Sequence, residues 1–132
     1  MDIFCKHIWI IEWYDGIIQG VVEDFISYWF ISLQAFDATH SRKLYIAARI
    51  DTDLARQMDI RNDTPVQVSD TIFETLLVGD NVFVTTDEPA NGARLNLRPL
   101  KDSERQYLKA GGFQIENAVS EKAVKFWLTE QG

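Results

Sequence analysis

The chain of 132 residues carries 20 acidic and 13 basic side chains, which gives a formal net charge of −7. This balance disfavours nucleic acid and anionic membranes as main partners, because both attract clustered Lys and Arg. The length and an ordinary apolar content predict one domain over residues 1–132, with a core that needs no disulfide staples. The single cysteine, Cys5, and an opening segment without a secretory pattern lead us to expect a cytoplasmic protein.

The first third of the chain predicts a β-hairpin with Asp15-Gly16 at its tip. Asp-Gly suits both central positions of a type I′ turn, which matches the twist of paired strands. A two-residue loop would place Trp13 opposite Ile18. This register predicts an apolar row on one face of the hairpin, made of Trp9, Ile11, Trp13, Ile18 and Val22. Gly16 should therefore have a positive φ, and Trp13 should be largely buried.

Two more strands are expected directly after the hairpin. Residues 25–35 alternate in a strand pattern that includes Trp29, and residues 43–50 place Leu44, Ile46 and Ala48 on one side. The polar residues 37–42 form the turn between them. Four strands with short connections predict an antiparallel meander. A short helix over residues 52–58 follows, with Thr52 as its candidate cap.

The middle of the chain gives a less uniform pattern. Residues 71–78 fit a capped helix nearly as well as a strand, and both alternatives stay open. Residues 76–84 resemble the Leu-x-x-Gly-Asp-x-Val-x-Val segment found where a strand of small β-barrels begins, so Gly79-Asp80 should turn into a strand. Residues 81–86 and 93–98 predict a later hairpin, because the linking residues 87–92 contain Pro and Asn-Gly.

The last third of the chain predicts helices. Ser103 and Gln106 fit a capping box for one helix, and Ser120 can cap a final helix that buries Ala123, Phe126 and Trp127. The sequence therefore predicts a single α+β domain. Its antiparallel sheet would combine the N-terminal meander with the later hairpin, either open or curved into a partly closed barrel, and would pack against the C-terminal helices.

The titratable residues give no catalytic, cofactor or metal motif. Cys5 and His7 would share one face of a strand, but such a pair supplies two ligands where a structural zinc site needs four. Nothing local marks Cys5 as an activated thiolate, whether paired with His7 or with His40. The acids between residues 51 and 63 lack the alternation, glycine and terminal glutamate of a calcium loop. We predict no catalytic residue, no cofactor and no metal ion.

Residues 13–31 carry one resemblance. Trp13-Tyr14-Asp15-Gly16, followed by Gly20-Val21 and an aromatic strand, is similar to the opening of small uncharacterised bacterial proteins with a Tyr-Tyr-Asp-Gly-Pro-Leu-x-Gly hairpin. Ile17 stands where that group has proline. The resemblance implies a bacterial origin and supports the hairpin, and it implies no activity.

Charge and the lack of catalytic signatures favour a non-catalytic protein-interaction domain of the immunity, antitoxin or inhibitor type. An acidic surface speeds the encounter with a basic partner such as a toxin or nuclease. Residues 64–92 carry five acids and no base, and within them Asp80, Asp87 and Glu88 are the acids expected to contact that partner. One alternative is a small-molecule-binding or enzymatic domain whose site is assembled from scattered residues. Another is a homo-oligomeric subunit, with a homodimer as its simplest form.

Overall fold

A computed structural model of the chain describes residues 1–13, 16–57, 77, 79–111 and 118–129. Most of the described residues belong to eight β-strands and three α-helices, the last of which continues into a π-helical turn. In chain order these are β1 Asp2–Phe4, β2 His7–Trp13, β3 Ile17–Glu23, β4 Tyr28–Asp37, β5 Arg42–Ile50, α1 Thr52–Gln57, β6 Val82–Thr85, β7 Arg94–Asn96, β8 Arg98–Pro99, α2 Asp102–Gly111, α3 Glu121–Val124 and the π-helical turn Lys125–Thr129.

Six of these strands form one antiparallel sheet in the order β2-β3-β4-β5-β6-β8, and β1 pairs with β7 in a second, two-stranded sheet. The predicted α+β class and the antiparallel meander of β2 to β5 are confirmed. In the described part of the chain, β2 and β8 are the edges of the larger sheet, which is open, so the partly closed barrel is not formed. No helix among the described residues combines the length and the apolar character needed to cross a bilayer.

The larger sheet is buried on both faces, because the side chains of successive strand residues point to opposite sides. One face packs against the helices through a core that includes Val21, Phe30, Leu44, Ile46, Ala48, Val84, Leu108, Ala123 and Trp127. The other face packs against β1 and β7 through a core that includes Ile3, Val22, Trp29, Ile31, Tyr45, Ala47 and Leu95. A bulge in β4 between Leu33 and Ala35 moves these two residues, which would otherwise share a face, into different cores.

The predicted register of the β2–β3 hairpin is wrong by one residue. Trp13 lies opposite Ile17, and the pairing is interrupted by irregularities on either side of Glu12. Three residues therefore connect the strands where two were predicted, and β3 turns its side chains to the opposite faces. Val21 packs with Trp9 and Ile11 on the helix side. Because both faces of this hairpin carry large apolar side chains, their alternation could not select the register.

Two predictions about the hairpin tip have different outcomes. Gly16 has a φ of +134°, so its positive φ is confirmed. Trp13 is 62% exposed, so its predicted burial is wrong. The predicted type I′ turn depends on Asp15, which lies outside the described residues.

The later hairpin is confirmed in its strands but wrong in its pairing. β6 pairs with β8, which places Phe83 opposite Pro99. The segment in between, β7, pairs with the N-terminal strand β1 and places Leu95 opposite Ile3. A pairing across more than ninety residues leaves no local signal in the sequence. The helix-or-strand alternative for residues 71–78 lies outside the described residues, except for the buried Leu77.

The helix caps show where local chemistry sets the ends of these elements. Ser120 Oγ accepts a hydrogen bond from the Ala123 N–H at 3.1 Å, as predicted. Asp51 Oδ1 accepts from the Leu54 N–H at 2.7 Å, so Asp51 caps α1 in place of Thr52. The Ser103–Gln106 capping box is wrong, because α2 already begins at Asp102 and the Glu104 carboxylate reaches back to the Lys101 N–H.

Candidate functional site

The three acids predicted to contact a partner lie at opposite ends of β6. Asp80 is exposed in the turn before the strand, and Asp87 and Glu88 follow its last residues. The structure therefore brings Asp87 and Glu88 together and separates Asp80 from both. A partner that contacts one end of this strand need not contact the other.

Asp87 has a structural role in its loop. Its Oδ2 accepts a hydrogen bond from the Asn96 N–H at 2.7 Å, and its own N–H donates to Thr85 Oγ1 at 3.0 Å. The side chain thus links the end of β6 to β7. A carboxylate used in this way presents less free charge to a partner.

The charge of Glu88 is offset by Lys43. The Lys43 ammonium lies 3.0 Å from Glu88 Oε1 and 5.5 Å from the centroid of the Phe36 ring. The Lys43 side chain is mostly buried, whereas that of Glu88 is mostly exposed. The ion pair reduces the net negative charge at this end of the sheet. The sequence did not indicate this, because residues 64–92 contain five acids and no base.

A cavity of about 290 Å³ lies beside this ion pair and is lined by Phe36, Ser41, Lys43, Thr86 and Glu88. Ser41 has a φ of +50°, the left-handed region that non-glycine residues seldom adopt. Gly16 borders the same place, since a Cβ on this residue would collide with Lys43 Nζ. Sequence reasoning missed this cavity, because its residues come from the β4–β5 turn and the end of β6, with no motif that joins them.

The β4–β5 turn also holds a cluster of charged side chains. Asp37 Oδ2 lies 2.7 Å from His40 Nδ1 and 3.4 Å from Arg42 Nη2. The hydrogen bond from His40, helped by Arg42, holds the pKa of the Asp37 carboxyl below its ordinary value despite partial burial. Arg42 also donates from Nη1 to the Leu128 carbonyl at 2.9 Å. The cluster therefore ties the turn to the π-helical turn at the C-terminal end of the described chain.

The thiol and metal chemistry considered for Cys5 finds no support in its surroundings. Cys5 is fully buried, and its backbone bonds to Gly92 and Ala93 on the neighbouring segment. Burial raises the pKa of its thiol, which keeps the proton on the sulfur at neutral pH. The described residues contain no group of three or more His, Cys, Asp or Glu side chains that could hold a metal ion.

The turn between β3 and β4 exposes two large apolar side chains. Phe25 is 73% exposed and Ile26 is 87% exposed. We call residues Asp24–Ser27 the apolar turn. The sequence pattern placed both residues at the start of the next strand, which instead begins at Tyr28, so it did not predict that their side chains would face solvent.

The apolar turn is held rigidly by its first residue. Asp24 Oδ1 accepts hydrogen bonds from the N–H groups of Ile26 and Ser27, and Asp24 Oδ2 accepts from Trp29 Nε1 at 2.8 Å. The Phe25 ring stacks on Phe4, with the centroids 5.5 Å apart and the rings 4° from parallel. The exposed side chains therefore project from a fixed backbone and not from a loose loop.

Arg49 connects the apolar turn to the turn that carries Asp80. Its backbone N–H donates to the Asn81 carbonyl at 2.8 Å, and its Nε donates to Ser27 Oγ at 3.1 Å. Tyr28 lies opposite Ile50, so the apolar turn and the end of β5 are at the same end of the sheet. Of the three predicted acids, Asp80 is the one at the same end of the sheet as the exposed apolar side chains.

Comparisons with protein-family models, with curated proteins and with solved structures found no match to this chain. The resemblance of residues 13–31 to the opening of small bacterial proteins stays a prediction.

Proposed function

We propose that the protein is a non-catalytic interaction domain of the immunity, antitoxin or inhibitor type, which binds a basic protein in the cytoplasm. The observation that carries this proposal is the rigid apolar turn, which presents Phe25 and Ile26 to solvent at the end of the sheet that also carries Asp80. Exposed apolar side chains of this size on a fixed backbone are typical of protein-contact surfaces.

The rigidity of the turn favours binding in energetic terms. Full burial of a Phe or Ile side chain is worth roughly 1.5–3 kcal/mol. A loose loop would lose part of this gain when a partner orders it. Here the hydrogen bonds to Asp24 already fix the backbone, so most of the gain can contribute to affinity.

The net charge of −7 selects the class of partner. A basic protein is attracted over distance, and its rate of encounter rises as ionic strength falls. Asp80 is expected to contribute most among the three predicted acids because it lies at the same end of the sheet as the apolar turn. Asp87 and Glu88, which lie at the far end of β6 and have intramolecular partners, are expected to act only through the long-range field.

The test is capture from the native host with two matched variants. The wild-type protein, Ile26→Lys and Ile10→Lys are immobilised in parallel, and the retained proteins are identified. The proposal predicts a basic protein that is retained by the wild type and by Ile10→Lys but lost with Ile26→Lys. If the same proteins are retained by all three, the apolar turn is not the contact surface and the proposal fails.

Once the partner is known, its association rate tests the electrostatic part. We expect Asp80→Lys to slow association more than Glu88→Lys does, and raised salt to reduce the difference. Equal effects of the two variants would mean that Asp80 makes no local contact.

The cavity beside Lys43 favours a second candidate function, the binding of a small anionic molecule. Its volume of about 290 Å³ is near the lower end of ligand pockets, and its lining combines the Phe36 ring, two hydroxyl-bearing residues and the Lys43 ammonium, whose partner Glu88 an incoming anion would have to replace. A small carboxylate that binds there should raise the melting temperature of the wild type but not of Lys43→Met. No shift with a panel of small carboxylates and phosphates would remove this candidate.

A further inference from the structure

Strand β2 is an edge of the larger sheet and is unusually apolar for that position. Residues 7–13 contain one charged side chain, that of Glu12, and four consecutive apolar residues from Ile8 to Ile11. Ile10 is 50% exposed and Trp13 is 62% exposed. Edge strands in natural proteins are normally blunted with Lys, Pro, a bulge or a covering loop.

The backbone direction shows which groups on this edge point away from β3. The Ile8 N–H donates to Asn91 Oδ1 at 2.9 Å, so it points away from β3. The Trp9 carbonyl lies on the β3 side, because a Cβ added at Gly20 would be 2.9 Å from it. Polar groups alternate in direction along a strand, so the N–H and C=O of Ile10 point outward, as those of Ile8 do.

Among the described residues, the protection of this edge covers both sides of Ile10 but not Ile10 itself. Asn91 covers the strand at Ile8, and the pairing irregularities with β3 begin after Ile10. Between these two features, an outward N–H and C=O stand beside an exposed apolar side chain. This is the arrangement that another strand can extend.

We infer that β2 pairs with the β2 strand of a second copy of this chain, antiparallel and across a two-fold axis at Ile10. A two-fold axis perpendicular to a sheet places a residue opposite its own counterpart. The N–H and C=O of Ile10 then exchange hydrogen bonds with those of Ile10 in the other copy. Because Asn91 occupies the Ile8 N–H, the pairing is confined to the central part of the strand.

The size of this surface indicates a weak dimer. Burying the exposed parts of Ile10 and Trp13, with their neighbours, in both copies removes on the order of 800–1,000 Å² from water. Stable interfaces start at about 1,200 Å². A weak monomer–dimer equilibrium is therefore expected.

The first experiment measures self-association by sedimentation over a wide range of protein concentrations. The wild type should show a monomer–dimer equilibrium, and Ile10→Lys should weaken it at least about tenfold, because two ammonium groups would face each other across the axis. Ile26→Lys adds the same charge at another exposed apolar site and should leave self-association unchanged. A wild type that stays monomeric, or a dimer that Ile26→Lys disrupts while Ile10→Lys does not, would overturn the inference.

The second experiment tests the position of the axis with a disulfide. Paired residues of an antiparallel sheet have Cα atoms about 5.5 Å apart, which a disulfide can span. Ile10→Cys should form a covalent dimer on mild oxidation, and the buried native Cys5 should not interfere. Ile26→Cys is the control and should remain mostly monomeric. Equal cross-linking of both variants would mean that contacts between copies are random.

Salt separates this inference from the proposed function. Two copies that each carry a charge of −7 repel one another, so raised salt should strengthen the dimer while it slows association with a basic partner. The dimer depends on Ile10 and partner capture depends on Ile26, so either result can fail alone.

Discussion

The central strands β4 and β5 and the edge strand β2 have similarly apolar sequences but opposite surroundings. In β4 and β5, apolar side chains on both faces are buried by the helices or by the two-stranded sheet. In β2, Ile10 and Trp13 remain largely exposed. Apolar composition thus identifies a strand but does not tell whether the protein buries that strand itself. The position of a strand in the sheet order decides whether the protein buries it. The apolar surface that remains exposed is a candidate for contact with another molecule.

The test with the largest expected change in the free energy of unfolding compares two tryptophans. Trp127 is 3% exposed and packs in the helix-side core, so Trp127→Ala should lower the free energy of unfolding by about 3–5 kcal/mol. Trp13→Ala should lower it by less than about 1 kcal/mol, since little area is lost from the core. Urea unfolding of both variants provides the measurement. Similar losses for the two would contradict the assignment of Trp13 to the surface.

The second test concerns β8, the other edge of the larger sheet. Unlike β2, this strand is held by side-chain hydrogen bonds to a helix. Arg98 in β8 makes two 2.7 Å hydrogen bonds to Glu104, a fully buried residue of α2. Although burial alone would raise the pKa of Glu104, these hydrogen bonds and the Lys101 N–H hold it below the ordinary value of 4.5. The carboxylate therefore stabilises the fold above that pH, and this contribution is lost as the pH falls through the lower pKa of the folded state.

We expect Glu104→Gln to lower stability at neutral pH by about 1.5–3 kcal/mol, the typical contribution of hydrogen bonds to a charged group. The variant should also lose less stability than the wild type when the pH is lowered below 4.5. Thermal melts at a series of pH values compare the two. Parallel pH profiles would show that Glu104 does not carry the acid sensitivity.

The third test compares two glycines with positive φ. Gly16 has a φ of +134° and adjoins Lys43, whereas Gly92 has a φ of +83° and nothing within 4 Å of an added Cβ. Gly16→Val should cost roughly 1–3 kcal/mol through backbone strain, and Gly92→Ala should cost about 1 kcal/mol. Gly16→Ala should cost more than Gly92→Ala, because a φ of +134° lies farther from the left-handed region and the added Cβ also meets Lys43. Denaturant midpoints that are unchanged in all three would exclude strain at these turns.

The smallest expected effects distinguish the two acids after β6. Glu88→Gln should change stability by no more than about 0.5 kcal/mol, because the amide oxygen on this exposed side chain can still accept a hydrogen bond from Lys43. Asp87→Lys should cost about 1 kcal/mol, since the Asn96 N–H loses its acceptor. Matched thermal melts can resolve this difference. A more severe effect of the Glu88 variant would reverse the roles assigned to the two residues.

The sequence was sufficient for features that depend on neighbouring residues. The meander strands, the Ser120 cap, the buried Trp127 and the positive φ of Gly16 each have a local physical cause, and each is confirmed. The hairpin register could not be predicted, because a strand with apolar residues on both faces satisfies two registers equally well. The pairing of β1 with β7 and the contact of Lys43 with Glu88 join distant segments, so neither leaves a pattern in the sequence.

The shortness of β8 limits how far this molecule can assemble. The strand has two residues, Arg98 and Pro99, and the nitrogen of a proline carries no hydrogen to offer a further strand. Of the two edge strands of the described six-stranded sheet, only β2 can pair with a further strand. A two-fold pairing occupies this edge in both copies. Association through β2 would therefore close at two molecules and would not run on into a filament. An acidic protein with an apolar, extendable strand can in this way remain free of fibrous aggregation at high concentration.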